Sequence, residues 1–190
     1  MVDEVRIPAL VYQIVETEPQ LSTATHHLAA FRGYQYEDAT KLVWVNVWKH
    51  HHKDSTPEDE IPSNAEHKPE IYHVKIPSNL DVTKSIAAPC TEIAHWTVPQ
   101  GESVDTLLEL IEQLHAAFLR GEGLQGMHQA PTHENPNLVV NFLGWDSLEA
   151  HQKAVLPDTE AYAVIQKMLA FAQVTGYHVS FKRVLHEQIQ

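Results

Sequence analysis

Fourteen histidines in a chain of 190 residues make imidazole the first group to consider for chemistry, because near its unperturbed pKa of ~6.5 it both takes and gives protons at neutral pH. Three of them interrupt apolar, alternating runs: His95 in TEIAHWTV (Thr91 to Val98), His178 in GYHVSF (Gly176 to Phe181) and His73 in IYHVKI (Ile71 to Ile76). Alternation sets His95 and Thr97 on the strand face opposite Ala94, Trp96 and Val98, and sets His178, Ser180 and Lys182 opposite Tyr177, Val179 and Phe181. Asn141 and Asn46 break two further apolar runs, NLVVNFLGW (Asn137 to Trp145) and KLVWVNVWK (Lys41 to Lys49). An amide there can hold an enolate-like oxygen while an imidazole moves the proton, which is acid–base chemistry without a cofactor. His95, His178 and Asn141 are therefore the candidate catalytic residues, and His73, Asn46 and Trp96 the candidate ligand contacts, with Gln13 and Lys75 beside them. Trp44, Trp48, Trp96 and Trp145 all fall on strand-like runs, where they serve as core or as aromatic walls for an apolar ligand.

Other chemistries find less support. There is no HExxH, no paired Cys-x-x-Cys and no spaced His–Asp motif, so no metal site is expected. The run His50 to His52 leads into acidic, proline-containing sequence and reads as a solvated loop with adventitious metal affinity. Gly121, Gly123 and Gly126 follow a helical stretch instead of opening one, which excludes a phosphate cradle. The single cysteine, Cys90, allows no intrachain disulfide and reads as structural. A net charge of −12 with 13 scattered Lys and Arg repels polyanions, so nucleic acid is not an expected partner. No window approaches the ~20 apolar residues of a membrane span. Met1 to Glu18 carries acids where a leader needs bases, and a cytoplasmic protein is expected.

The elements that must position these residues come as a repeat. The two Asn-bearing runs are each followed by a Tyr-His-Val strand, and HLAAFRG (His27 to Gly33) matches HAAFLRG (His115 to Gly121), both reading as the last turns of a helix closed by glycine. In the C-terminal copy, Thr91 to Val98 is a strand. Ser103 to Arg120 is a helix capped by Ser103, with Leu107, Leu110, Ile111, Leu114 and Phe118 on one stripe. Leu124 to Gln129 and Leu138 to Trp145 form a strand pair. A short helix over Ser147 to Val155, capped by Asp146, is broken at Pro157 and resumed over Thr159 to Ala172, with Tyr162, Ile165, Met168 and Leu169 on one side. Gly176 to Val184 is the last strand. The N-terminal copy reads as strand Ala9 to Val15, helix Ser22 to Arg32, then strands near Tyr34, at Leu42 to Trp48 and at Glu70 to Ile76. Its second helix is replaced by the polar stretch His50 to Pro69, and Ser78 to Cys90 is a linker. The expected units are 1–80 and 90–186.

These landmarks, above all LVVNFLGWDSLEAHQ (Leu138 to Gln152), resemble the dimeric α/β-barrel superfamily of antibiotic-biosynthesis monooxygenase-like and stress-responsive proteins. The resemblance implies an α+β fold of two tandem ferredoxin-like units whose antiparallel sheets close into one intrachain barrel, with the ligand in its lumen. There the first strand lies between the third and fourth, so His95, Asn141 and His178 are expected to converge. The implied function is a cofactor-independent cyclase, isomerase or decarboxylase acting by proton transfer on a small hydrophobic molecule. Alternatives are a monooxygenase-like or haem-binding barrel and a non-catalytic binding or stress-associated one. The His-Pro-Ala-His element of the related plant cyclases is replaced here by Leu156, Pro157, Asp158 and Thr159. The oligomeric state stays open, since fusion removes the usual reason to dimerise.

Overall fold

The computed structural model describes residues 9–15, 27–48, 70–76 and 82–184, of which 9–15, 27, 28 and 48 are described by backbone alone. The strands are β1 (Ala9–Val15), β2 (His27–Tyr34), β3 (Leu42–Trp48), β4 (Glu70–Lys75), β5 (Cys90–Thr97), β6 (Leu124–Pro131), β7 (Leu138–Trp145), β8 (Gln173–Val179) and β9 (Lys182–Val184). The helices are α1 (Thr83–Ile86), α2 (Val104–Leu119), α3 (Leu148–Ala154) and α4 (Glu160–Leu169). Both sheets are antiparallel: one runs β4-β1-β3-β2-β9, the other β6-β7-β5-β8. Numbered within each group of four strands, the order β4 to β2 and the order β8 to β6 are both 4-1-3-2, as a ferredoxin-like sheet requires. The expected positions of β5 and β7, with β5 between β7 and β8, hold.

Alternation decides which face each residue presents. Val43, Val45, Val47, Ala29, Phe31 and Val74 from the first sheet share one buried cluster with Ile93, Val140, Phe142, Tyr177 and Val179 from the second. The sheets therefore pack face to face, and most of the space between them is filled with apolar side chains. The other face of the second sheet carries Ala94, Trp96, Val139, Leu143 and Trp145, covered by α2 and α4. On α2 the buried stripe is Leu107, Ile111, Leu114, Ala117 and Phe118, close to the periodicity expected. On α4 it is Ala161, Val164 and Met168, while Leu169 is exposed. The α3 cap is Ser147, whose hydroxyl accepts from the Ala150 N–H, and not Asp146. Ser103 holds the cap position of α2 without a side-chain hydrogen bond. Cys90, buried at the start of β5, has its thiol pushed up to about 11 by burial, so it is a packing residue and not a nucleophile.

Three expectations are corrected. His27 to Tyr34, expected to end a helix over Ser22 to Arg32, is strand β2; the alanine-rich run LAAF suits either state, and pairing with both β3 and β9 decides it. Residues 16–26 lie outside the described part, as does the stretch 50–69. The last strand is not continuous: β8 ends at Val179, and β9 crosses to the edge of the first sheet, against β2. Within the expected linker, Thr83–Ile86 forms α1, and its Ile86 is wholly buried in the inter-sheet core.

The sheets meet at two seams with the same local pattern. Single antiparallel bridges join Val74 to Thr132 and Gln35 to Val179. Beside them the His133 N–H donates to the His73 carbonyl (2.8 Å) and the Tyr36 N–H to the His178 carbonyl (2.8 Å). A glutamate then clasps each histidine: Glu134 accepts from the His73 N–H at 3.1 Å and meets its Nδ1, and Glu37 accepts from the His178 N–H at 2.9 Å and meets its Nδ1 at 2.6 Å. Gly33 sits where β2 crosses the turn from β8 to β9. A Cβ there would lie 2.5 Å from the Ser180 carbonyl oxygen and 2.5 Å from Val179 Cγ1. Gly33→Ala is expected to lose about 1–3 kcal/mol in urea unfolding. Gly121→Ala, whose nearest described neighbour is at 3.5 Å, serves as the control; equal losses in both would refute close packing at the seam.

Candidate functional site

The inner face of the two sheets is largely apolar, with buried polar groups towards two ends: Thr91 and His128, the latter 2.8 Å from Ser85 Oγ, beside α1, and His95 towards the other. There β5 places His95 opposite Thr175 of β8 and Val140 of β7, with Thr97, Thr175 and Glu70 exposed around it. Tyr72 of β4 and Tyr177 of β8 flank the imidazole, at ring-centroid separations of 5.1 and 5.9 Å. Tyr72 Oη donates to Glu70 Oε2 (3.1 Å) at the rim. Tyr177 Oη is buried and has no hydrogen-bond partner among the described residues. Burial holds the His95 imidazole down at about 4 against the pull of the Glu70 carboxylate, so it is neutral across the physiological range. Burial, with the neighbouring Glu70 charge, pushes the Tyr72 phenol up to about 12, and burial also pushes Tyr177 far up. Both phenols stay protonated. The result is a neutral base between two O–H groups at the mouth of an apolar interior.

A second polar cluster lies on the opposite, helix-covered face. Glu92 of β5 stands in register with His178 of β8, and α3 brings His151 over them. His151 Nδ1 is 2.7 Å from His178 Nε2, and its Nε2 is 3.3 Å from Glu92 Oε2. Glu92 also accepts from Trp145 Nε1 at 3.3 Å. With the Glu37 clasp this makes a continuous chain, Glu37–His178–His151–Glu92–Trp145. The His151 ring is further fixed between Trp145 and His178, at centroid separations of 5.1 and 4.8 Å.

The register separates the residues expected to converge. His95 faces the inter-sheet side, whereas Asn141, opposite Ala94, and His178, opposite Glu92, face the helices. Adjacent strands were the right inference, but convergence also requires matching parity, and His95 has the other parity. Trp96 is buried in the helix-side core. Asn141 is on that side too, 1% exposed, and its Oδ1 has no hydrogen-bond partner among the described residues. His73 belongs to the first seam, facing away from Val74 and the inner core. Asn46 accepts from Trp44 Nε1 at 2.9 Å on the outer face of the first sheet. Tyr72 and Tyr177 escaped the sequence reading although both precede the histidine of the Tyr-His-Val repeat. His151, Glu92 and Glu37 escaped it because they come from separate elements with no common motif.

No protein-family model matches the chain, and neither does any curated protein. Solved structures do. A protein of Fusobacterium nucleatum proposed to be a monooxygenase aligns over 96% of this chain and 96% of its own at 13% identity, TM-score 0.64. Another of the same description from Lactobacillus acidophilus aligns over 94% and 96% at 9% identity, TM-score 0.63. An anthrone oxidase-like protein aligns over 95% and 94% at 12% identity, TM-score 0.61. At these identities the likeness establishes the fold: α+β, ferredoxin-like, with antiparallel sheets. Among the described residues no helix is long and apolar enough to cross a membrane.

The depressed His95 pKa has a stability consequence of definite sign. The unfolded imidazole takes a proton below pH 6.5 and the folded one only near 4, so the folded state loses stability as pH falls through that window and keeps it in full above 6.5. Between pH 7 and pH 4.5 the loss from this group is about 2–3 kcal/mol. Urea midpoints at the two pH values are expected to differ by that much less in His95→Gln than in the unmodified chain; an unchanged difference would refute a buried neutral imidazole.

Proposed function

We propose that the chain is a duplicated ferredoxin-like pair whose sheets, clasped at both seams, form an intrachain barrel, and that its mouth is the active site of a small cofactor-independent enzyme. The substrate class is a small, largely apolar molecule with an acidic C–H beside a carbonyl or phenol. The observation that carries this reading is the neutral His95 imidazole held against two protonated tyrosines at the end of an apolar interior. His95 takes the proton, and the Tyr177 O–H, without a hydrogen-bond partner among the described residues, holds the oxygen on which the negative charge collects. Tyr72, tied to Glu70, forms the rim.

Isomerisation needs only return of that proton to another carbon. Oxidation is favoured by the likeness to proteins described as monooxygenases and to an anthrone oxidase-like protein. In that case the carbanion passes its electrons to dioxygen. A CH₂ group and O₂ give a hydroperoxide, which loses water to leave C=O, with the proton on His95 returned in the dehydration. The balance needs no further reductant. On this reading an anthrone-type ketone is the probe.

Dioxygen consumption or product formation with such a probe is expected to fall at least ~100-fold in His95→Ala, within the range that general-base removal gives, and ~10-fold or more in Tyr177→Phe. The acid limb of kcat/KM is expected near pH 4 instead of 6.5. Unchanged turnover in folded His95→Ala would exclude this site.

A further inference from the structure

The helix-side chain of polar groups plays no part in that reaction, and its composition is informative by itself. It contains three links, Glu37 to His178, His178 to His151 and His151 to Glu92. Two neutral imidazoles bring two ring protons. If His178 Nδ1–H donates to Glu37 and His151 Nδ1–H donates to His178, then His151 presents a bare nitrogen lone pair to the Glu92 carboxylate. Among the described residues the ion pairs to Glu37 and Glu92 come from histidines alone. Two ring protons cannot fill three links, so the cluster has room for one more electrophile.

A proton on His151 is one remedy; a metal cation is the other, and the donor set suits it. Glu92, His151 and His178 each offer one ligand atom, and these lie within 4.8 Å of one another. A tetrahedral ion with bonds of ~2.0–2.2 Å needs donors roughly 3.3 Å apart, so an ion would draw the most distant pair closer together. The three side chains are only 13–17% exposed. Beyond them stand the supporting groups that such sites carry: the Glu37 carboxylate on the far nitrogen of His178, which leaves Nε2 for a metal, and the Trp145 indole N–H on Glu92.

We propose that Glu92, His151 and His178 bind one divalent first-row transition ion, with Glu37 as the positioning residue for His178. Two imidazoles and one carboxylate favour Zn²⁺, Fe²⁺ or Co²⁺ over Mg²⁺ and Ca²⁺, which take oxygen donors. Three protein ligands leave a coordination position for water or a small ligand. The residues differ from those of the barrel mouth, so this assignment stands or falls separately from the proposed reaction.

The test titrates the full chain with Zn²⁺ and with Co²⁺, by calorimetry and by visible absorption of Co²⁺, in a background where His50, His51 and His52 are replaced by Ser to remove the adventitious run. One equivalent is expected to bind in that background. Its affinity is expected to fall ~100-fold or more in His151→Gln and His178→Gln and ~10–100-fold in Glu37→Gln. Zn K-edge absorption of the background protein reports the ligands without any change in the cluster, and is expected to show two imidazole nitrogens plus oxygen. Loss of all binding on removing His50 to His52, binding unaffected by the cluster variants, or a first shell without two imidazoles would overturn the assignment.

Discussion

An antiparallel sheet of four or five strands leaves edges whose N–H and C=O groups must find partners, be covered or carry charge. Here the edges of the two sheets are set against each other, and each junction is held by one bridge and one carboxylate that binds both the backbone and the ring of a histidine. The rest of the architecture follows from those junctions. Only with the seams in place do the apolar faces of β3 and β7, with Val43, Val45, Val140 and Phe142 wholly shielded from water, meet as one core.

The same junctions explain why polar chemistry falls into two separate clusters. Parity along a strand is fixed once one face is committed to the core. At β8, Tyr177 and Val179 go inward, and His178 between them must go outward to meet Glu92 and His151. His178 is thus at once a seam residue and a member of the helix-side cluster. Its counterpart, His73, stands in register with Val11, where the second sheet has Glu92 opposite His178. The two halves share a frame but differ in what is hung on it.

Much of this frame was legible in the residues. The Asn-bearing runs and the Tyr-His-Val strands marked β3, β7, β4 and β8, because strong alternation in β-branched and aromatic residues leaves little choice of state. The match between HLAAFRG and HAAFLRG misled, since alanine-rich apolar runs carry no decisive period; one became β2 and the other the end of α2. The sites were harder. His95 and His178 were singled out by type, yet their separation depends on register, which is a long-range property. Glu37 and Glu134 follow β2 and β6 in ordinary loop sequence, and only the seam gives either carboxylate a role.

The crossing of β9 has a consequence for how the chain is made. Because Lys182–Val184 supplies the edge neighbour of β2, the sheet built from β1 to β4 acquires its outermost member from residues that leave the ribosome after every strand of the second sheet. Until then β2 has an open flank along Ala30 to Arg32, the stretch that Lys182–Val184 later pairs with. Maturation of the first half therefore waits on synthesis of the second, which makes the pair one cooperative unit in time as well as in space.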